Sequence, residues 1–302
     1  MVKPNLTNLA GDGSTPYTPS PPIIAIDALM PPEMAAKAED IGVKKVKMAW
    51  LNIFILAILA GAFIALGAIF ATTITAGAAD KLAFGVTRLL SGLAFCLGLI
   101  LVVVAGAELF TGNNLIVMAW ADGRVSSVQL LRNWAIVYAG NFVGSLATAG
   151  LMFYSRQYTF GGGAMGLNIL NIAHSKVSLD FAQAIALGIM CNALVCLAVW
   201  LCYSARTTTD KILSIIFPIT AFVAAGFEHS VANMYFIPIG LLVKAGAPAS
   251  FWETVGKRAA DYPQLTWGNF FVANLLPVTI GNIIGGAVMV GLVYWFVYIR
   301  KQ

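Results

Sequence analysis

Six stretches of this chain are too long and too apolar for the core helices of a water-soluble protein, and they bound every other reading. They run Trp50–Thr75, Val86–Trp120, Leu130–Tyr154, Phe181–Tyr203, Ile212–Val243 and Phe270–Ile299. A helix that crosses the hydrocarbon core needs about 20 apolar residues, and each stretch supplies them. Composition agrees: 59% of the 302 residues are hydrophobic and 10% are charged, where soluble domains carry about 25% charged residues. Too few charges remain to coat a water-facing surface of this size. The expected fold class is an all-α integral membrane protein with six transmembrane helices.

The flanks are read by the same logic. Residues 1–31 are polar and rich in proline, and read as a disordered N-terminal tail without the charged start, apolar core and small-residue cleavage site of a signal peptide. Residues 32–302 form the transmembrane domain. Within it, Pro32–Lys47 reads as a short amphipathic helix at the membrane surface. Of the eighteen Lys and Arg residues, eleven fall on the side that six spans assign to both termini, among them Lys44, Lys45, Lys47, Arg124 and Arg206. Seven, including Arg88, Lys176 and Lys244, fall opposite. The excess of positive charge on cytoplasmic loops then places both termini in the cytoplasm. The net charge of +5 comes without a basic cluster interleaved with aromatics, so no nucleic-acid partner is expected. The four cysteines lie in or at the edge of apolar runs and read as small buried hydrophobes.

An internal repeat is visible. The second stretch contains Ala105-Gly106-Ala107-Glu108 and then Asn113; the fifth contains Ala225-Gly226-Phe227-Glu228 and then Asn233. The third contains Gly140-Asn141-x-x-Gly144 and the sixth Gly281-Asn282-x-x-Gly285. Spans two and three therefore correspond to spans five and six, while the first and fourth match weakly, through Gly61 and Gly188. The halves are about 48–155 and 178–300. Each unit holds three spans, an odd number, so the second copy enters the membrane from the opposite side. The result is an inverted 3+3 repeat about an axis in the membrane plane.

Both A-G-x-E motifs interrupt stretches longer than one span. A charge at that depth costs at least a few kcal/mol unless paired or wet, and irregular backbone there needs protein or a cavity around it. The second and fifth helices are therefore expected to break near the midplane. Backbone N–H groups freed at such breaks favour anions. His229 is the one histidine in an apolar stretch; it reads as functional, with a hydrogen-bonded core histidine as the bland alternative. His174 falls in the polar connector Tyr158–Asp180 and reads as solvated. Glu108 and Glu228 read as acceptors of backbone N–H bonds at the breaks, with cation coordination or proton relay as the alternative. Asn113 and Asn233 read as structural, and Asn141 and Asn282 as bonding the breaks across helices. Phe95, Leu99, Leu109 and Phe222 are core residues or hydrophobic constrictions, and spacing alone does not decide between these.

Three runs carry a family resemblance: AGAELFTGN at Ala105–Asn113, GFEHSVANM at Gly226–Met234 and PVTIGNIIGG at Pro277–Gly286. Lesser matches are Ala198–Lys211 and Asn133–Gly144. With them the chain resembles the formate/nitrite transporter family, within it the bacterial formate channels, from the second span to the end of the sixth. The resemblance implies an aquaporin-like protomer in a homopentamer of the bacterial cytoplasmic membrane, one pore per protomer, no cofactor, and formate as the permeant small anion. It implies that His229 is the central pore residue and Thr111 its partner on the other break. Phe95, Leu99, Leu109 and Phe222 become constrictions, and Lys45 and Lys176 vestibule cations. A nitrite or hydrosulfide channel is the alternative within the family. An intramembrane enzyme using Glu228 and His229 is less supported, because no nucleophile, metal set or cofactor motif accompanies them. A cation or ammonia conductor using the glutamates is a third reading.

Overall fold

The computed structural model describes residues 27–78 and 81–300. Helix α1 spans Pro31–Lys47; proline supplies its first turn, and the Glu33 carboxylate accepts from the Met30 N–H at 2.8 Å. Lys44, Lys45 and Lys47 fill its last turn, where cations complement the helix dipole. Helix α2 follows over Trp50–Thr75 without a single charged side chain. Helix α3 covers Phe84–Gly106, and its last turn widens to a π-helix from Leu101. After the first break come a 3-10 turn, Gly112–Ile116, and the short helix α4, Val117–Ala121. Ser126 caps α5, Ser127–Tyr154, with Gln129 completing the capping box.

The second half repeats this order. Helix α6 is Ala164–Val177, α7 is Phe181–Ser204 behind an Asp180 cap, and α8 is Thr208–Ala225 behind a Thr207–Asp210 capping box. After the second break α9 runs Ser230–Gly246 and α10 runs Ala249–Val255. The last long helix, α11, spans Trp267–Tyr298. Six helices, α2, α3, α5, α7, α8 and α11, are long and apolar enough to cross a membrane. The six expected stretches coincide with them, the second and fifth being divided as expected.

Close helix contact fixes the G-N-x-x-G glycines. A methyl at Gly144 would collide with the Ile58 carbonyl of α2, and one at Gly285 with the Ile189 carbonyl of α7. The α2–α5 and α7–α11 pairs are therefore alike. They also correct the register between spans one and four. Ile58 corresponds to Ile189 and Ala57 to Gly188, so Gly188 is one helical turn away from the counterpart of Gly61. Glycine was a poor marker there because α7 carries only Gly188, and the position that matches Gly61 is Asn192.

Two further expectations change. The connector 158–180 is not simply polar coil, because it contains α6, which buries Met165, Ile169, Leu170, Ala173 and Val177. His174 is half-buried on it, not solvated: its ring meets Tyr262 edge-on at 5.6 Å, and its Nε2 has no hydrogen-bond partner. Residues 27–30, assigned to the tail, are held against the turn between α7 and α8. Arg206 donates to the Asp27 carbonyl at 2.8 and 2.6 Å, and Ser204 Oγ donates to the Leu29 carbonyl at 2.9 Å. Pro31, also assigned to the tail, begins α1, and residues 1–26 lie outside the described residues.

Candidate functional site

The two breaks are built from the same parts. Gly106 and Gly226 adopt φ of 86° and 79°, the left-handed conformation that only glycine adopts without strain, and each stops its helix. The Glu108 N–H then donates to the Leu56 carbonyl at 3.2 Å, and the Glu228 N–H to the Leu187 carbonyl at 3.3 Å. Each irregular segment is thereby pinned to the first helix of its own half.

An asparagine completes each pin. Asn141 accepts from the Phe110 N–H at 2.9 Å and donates to the carbonyls of Ala57 and Glu108 at 2.8 and 2.9 Å. Asn282 accepts from the Ser230 N–H at 2.9 Å and donates to the carbonyls of Gly188 and Glu228 at 2.8 and 2.9 Å. One fully buried side chain on each half thus satisfies three backbone groups that lipid could not. This corrects the reading of the glutamates, whose carboxylates do not receive the break N–H groups.

The glutamates instead join lysines to asparagines. Glu108 pairs with Lys45 Nζ at 2.6 Å and accepts from Asn113 Nδ2 at 2.7 Å; Asn113 also donates to Asn133 at 2.9 Å. Glu228 pairs with Lys176 Nζ at 2.8 Å and accepts from Asn233 Nδ2 at 2.6 Å; Asn233 also donates to Asn274 at 2.8 Å. Both carboxylates are buried while their lysines keep some exposure. Each break is therefore one positive end facing a cavity and one asparagine pair facing the interior. Sequence reasoning missed Asn133 and Asn274, although they share the same eight-residue spacing to Asn141 and Asn282.

Two cavities approach the centre. One, of about 250 Å³, is lined by Lys176, Glu228, His229, Phe95, Phe222 and Arg88, among others. The other, of about 350 Å³, is lined by Lys45, Glu108, Leu99, Leu109, Asn113 and Tyr203, among others. Phe95 and Phe222 meet edge-on at 5.6 Å, and Phe222 stacks on the His229 ring at 6.0 Å. The four expected constriction residues thus divide into one aromatic pair beside His229 and one leucine pair in the opposite cavity. Thr111 is fully buried and lines neither of these two cavities.

His229 and Thr111 connect the two breaks. His229 is the N-cap of α9, and its Nδ1 accepts from the Ala232 N–H at 3.0 Å. An accepting Nδ1 is unprotonated, so the neutral ring carries its proton on Nε2. Nε2 lies 2.9 Å from Thr111 Oγ1, and the imidazole N–H donates to the hydroxyl oxygen. The Ser230 and Ala232 N–H groups are thus occupied by side chains, and the expectation of freely available donors at this helix start is reduced accordingly. What remains at the centre is an imidazole N–H and a hydroxyl in a dry, aromatic-walled site. Asn192, which the sequence did not single out, supports this point from α7. It donates to Asn114 Oδ1 at 2.8 Å and to the Asn282 carbonyl at 2.7 Å, tying one half to the other.

Thr111→Ala removes the one side chain that, among the described residues, hydrogen-bonds to His229 Nε2, whereas the Thr72 hydroxyl bonds its own helix, at the Ala68 carbonyl. Transport is therefore expected to fall by about tenfold in Thr111→Ala and by less than about twofold in Thr72→Ala, since one lost hydrogen bond in a dry site is worth about 1–1.5 kcal/mol. Initial rates in proteoliposomes check this, and equal mild effects would mean that the break is packing alone.

Six membrane-capable helices, two broken at paired polar clusters between opposed cavities, define a membrane transport protein. Residues 32–296 match the formate/nitrite transporter family, and the chain belongs to it. It is 47% identical over 276 residues to the formate channel FocA of Escherichia coli K12, covering 91% of this chain and 96% of that protein. It is 43% identical over 265 residues to the formate channel FocA of Haemophilus influenzae, covering 88% and 93%. A solved pentameric formate channel with formate bound superposes with a TM-score of 0.79 at 49% identity, covering 83% of this chain and 98% of that one.

Proposed function

We propose that this protein is a formate channel or proton-coupled formate carrier of the bacterial cytoplasmic membrane, working as a homopentamer with one pore in each protomer. The carrying observation is the 2.9 Å contact of His229 Nε2 with Thr111 Oγ1, between two cavities that each expose a lysine. Relatives named formate channels, and a solved pentamer with formate bound, support the substrate and the assembly. Lys45 and Lys176, each held by its glutamate, offer their remaining ammonium N–H groups to the anion in the cavities. Phe95, Phe222, Leu99 and Leu109 strip its water. At the centre its carboxylate oxygens take over the donors of His229 and Thr111, which need no fixed charge to receive it. Protonation of His229 at Nδ1 breaks the bond from Ala232, so the cationic ring is coupled to the start of α9. Glu108, Asn113, Glu228 and Asn233 hold the breaks and position the lysines.

The recurring bonds of the two breaks support an inverted repeat, with Lys45 at the cytoplasmic mouth and Lys176 opposite. Reporter fusions at the C-terminus that are active only in the cytoplasm are expected to be positive; a periplasmic readout would overturn the orientation. Substrate choice is tested by competition. Unlabelled formate should displace radiolabelled formate from purified protein in liposomes more effectively than nitrite, hydrosulfide or acetate does. Stronger displacement by nitrite or hydrosulfide would transfer the assignment to that anion.

A further inference from the structure

Arg88 is the one cation of the site that none of the expected roles includes. It lies near the start of α3, and Ser91, Phe95 and Leu99 follow it at three, seven and eleven residues. That spacing places all four on one helix face. Arg88, Ser91 and Phe95 line the cavity beside His229, and Leu99 lines the opposite one. The stripe runs along the route from one mouth to the centre.

Two observations give Arg88 a task. Its Nε donates to the Ala224 carbonyl at 3.0 Å and its Nη2 to the Val223 carbonyl. These belong to the last turn of α8, directly before the Gly226 break, so the guanidinium closes a helix end whose carbonyls carry partial negative charge. Among the described residues no side chain does this for Val103 and Val104, the matching positions on α3. Second, a further cavity of about 560 Å³, lined by Thr75, Thr87, Asn168 and Asn171 among others, shares Arg88, Ser91 and Ile172 with the cavity beside His229. Arg88 stands in the wall between this outer chamber, which polar and apolar side chains line together, and the inner one.

The charges make the two mouths unequal. Lys45 and Glu108 are the charged residues lining the cavity of Leu99, and they cancel. Lys176 and Glu228 cancel in the same way beside His229, and Arg88 remains as the uncompensated charge there. Three of its five N–H donors are left after the two carbonyls are served. We propose that Arg88 is an anion-selecting residue of this mouth, receiving the permeant anion from the outer chamber while its other donors hold the end of α8. The inference deepens the formate reading and rests on it.

The test measures initial formate uptake against formate concentration in proteoliposomes, for the wild type and for Arg88→Gln and Arg88→Lys, with oligomer checked by size exclusion. Arg88→Gln should raise the half-saturating concentration by about threefold to tenfold, with the maximal rate held within about twofold, as loss of field focusing at a cleft predicts. Arg88→Lys, which keeps the charge, should stay near the wild type, and added salt should narrow the difference. An unchanged half-saturation in Arg88→Gln would overturn the proposal. So would Arg88→Lys matching Arg88→Gln, which would leave only the guanidinium's grip on α8. If Arg88→Gln does not assemble, Ser91→Asp answers in the native background: half-saturation should rise by a similar factor, and no change would overturn the inference. A wild type that passes no formate would instead defeat the formate reading itself.

Discussion

His229→Asn is expected to leave the oligomer intact, lower formate flux by about tenfold or more and remove its response to pH between 5 and 8. The size of the effect is at or below that of losing a positioned acid–base group. Assembly should survive because His229 caps α9 by accepting from the Ala232 N–H, and asparagine is among the best residues for that task. The shorter side chain does not reach Thr111, and it does not titrate. Flux at several pH values, normalised to intact oligomer, measures both consequences. A variant with the wild-type pH profile would remove His229 from any proton role and leave it as a cap.

The second large effect concerns the glutamates. Glu228→Ala leaves Lys176 without its partner and Asn233 with Asn274 alone, and Glu108→Ala leaves Lys45 without its partner and Asn113 with Asn133 alone. Breaking a buried pair on one side costs about 3–5 kcal/mol, enough to expect loss of most of the assembled oligomer. Glutamine keeps an acceptor for the asparagine and the volume of the side chain, so Glu108→Gln and Glu228→Gln should assemble and keep a substantial part of the flux. Oligomer yield and flux per oligomer are measured for all four variants. If glutamine is as inactive as alanine while the oligomer is preserved, the carboxylates carry protons, and Glu228 joins His229 in a relay.

Much of this arrangement is legible in the sequence. Long apolar runs give the spans, because lipid leaves few other solutions for a backbone. The breaks are legible because A-G-x-E places a charge and a helix terminator together at a depth where both need a reason. Asn141 and Asn282 are legible through their repeated motif. The glutamate partners are not, since Lys45 and Lys176 stand 63 and 52 residues away from Glu108 and Glu228, and only the fold brings them together. Asn192 shows the same limit: one asparagine in an apolar run says that it has a partner, not which one. Helix α6 could have been found, because Met165, Ile169, Ala173 and Val177 recur every four residues on one face. Its polar residues, Asn168, Asn171 and Lys176, hid it from a reading based on mean hydropathy. Arg88 read as an ordinary charge flanking a span, because nothing local shows that the end of α8 lies beside it.

The central claim is that formate crosses each protomer past His229 and Thr111. Its most direct test is the initial rate of radiolabelled formate entry into liposomes holding the purified protein, compared at matched lipid with empty liposomes and with liposomes holding Thr111→Ala. The wild type should exceed the empty liposomes by at least about tenfold, with Thr111→Ala recovering little of that difference, as removal of a donor from a dry site requires. Entry no faster than through lipid alone would contradict the claim.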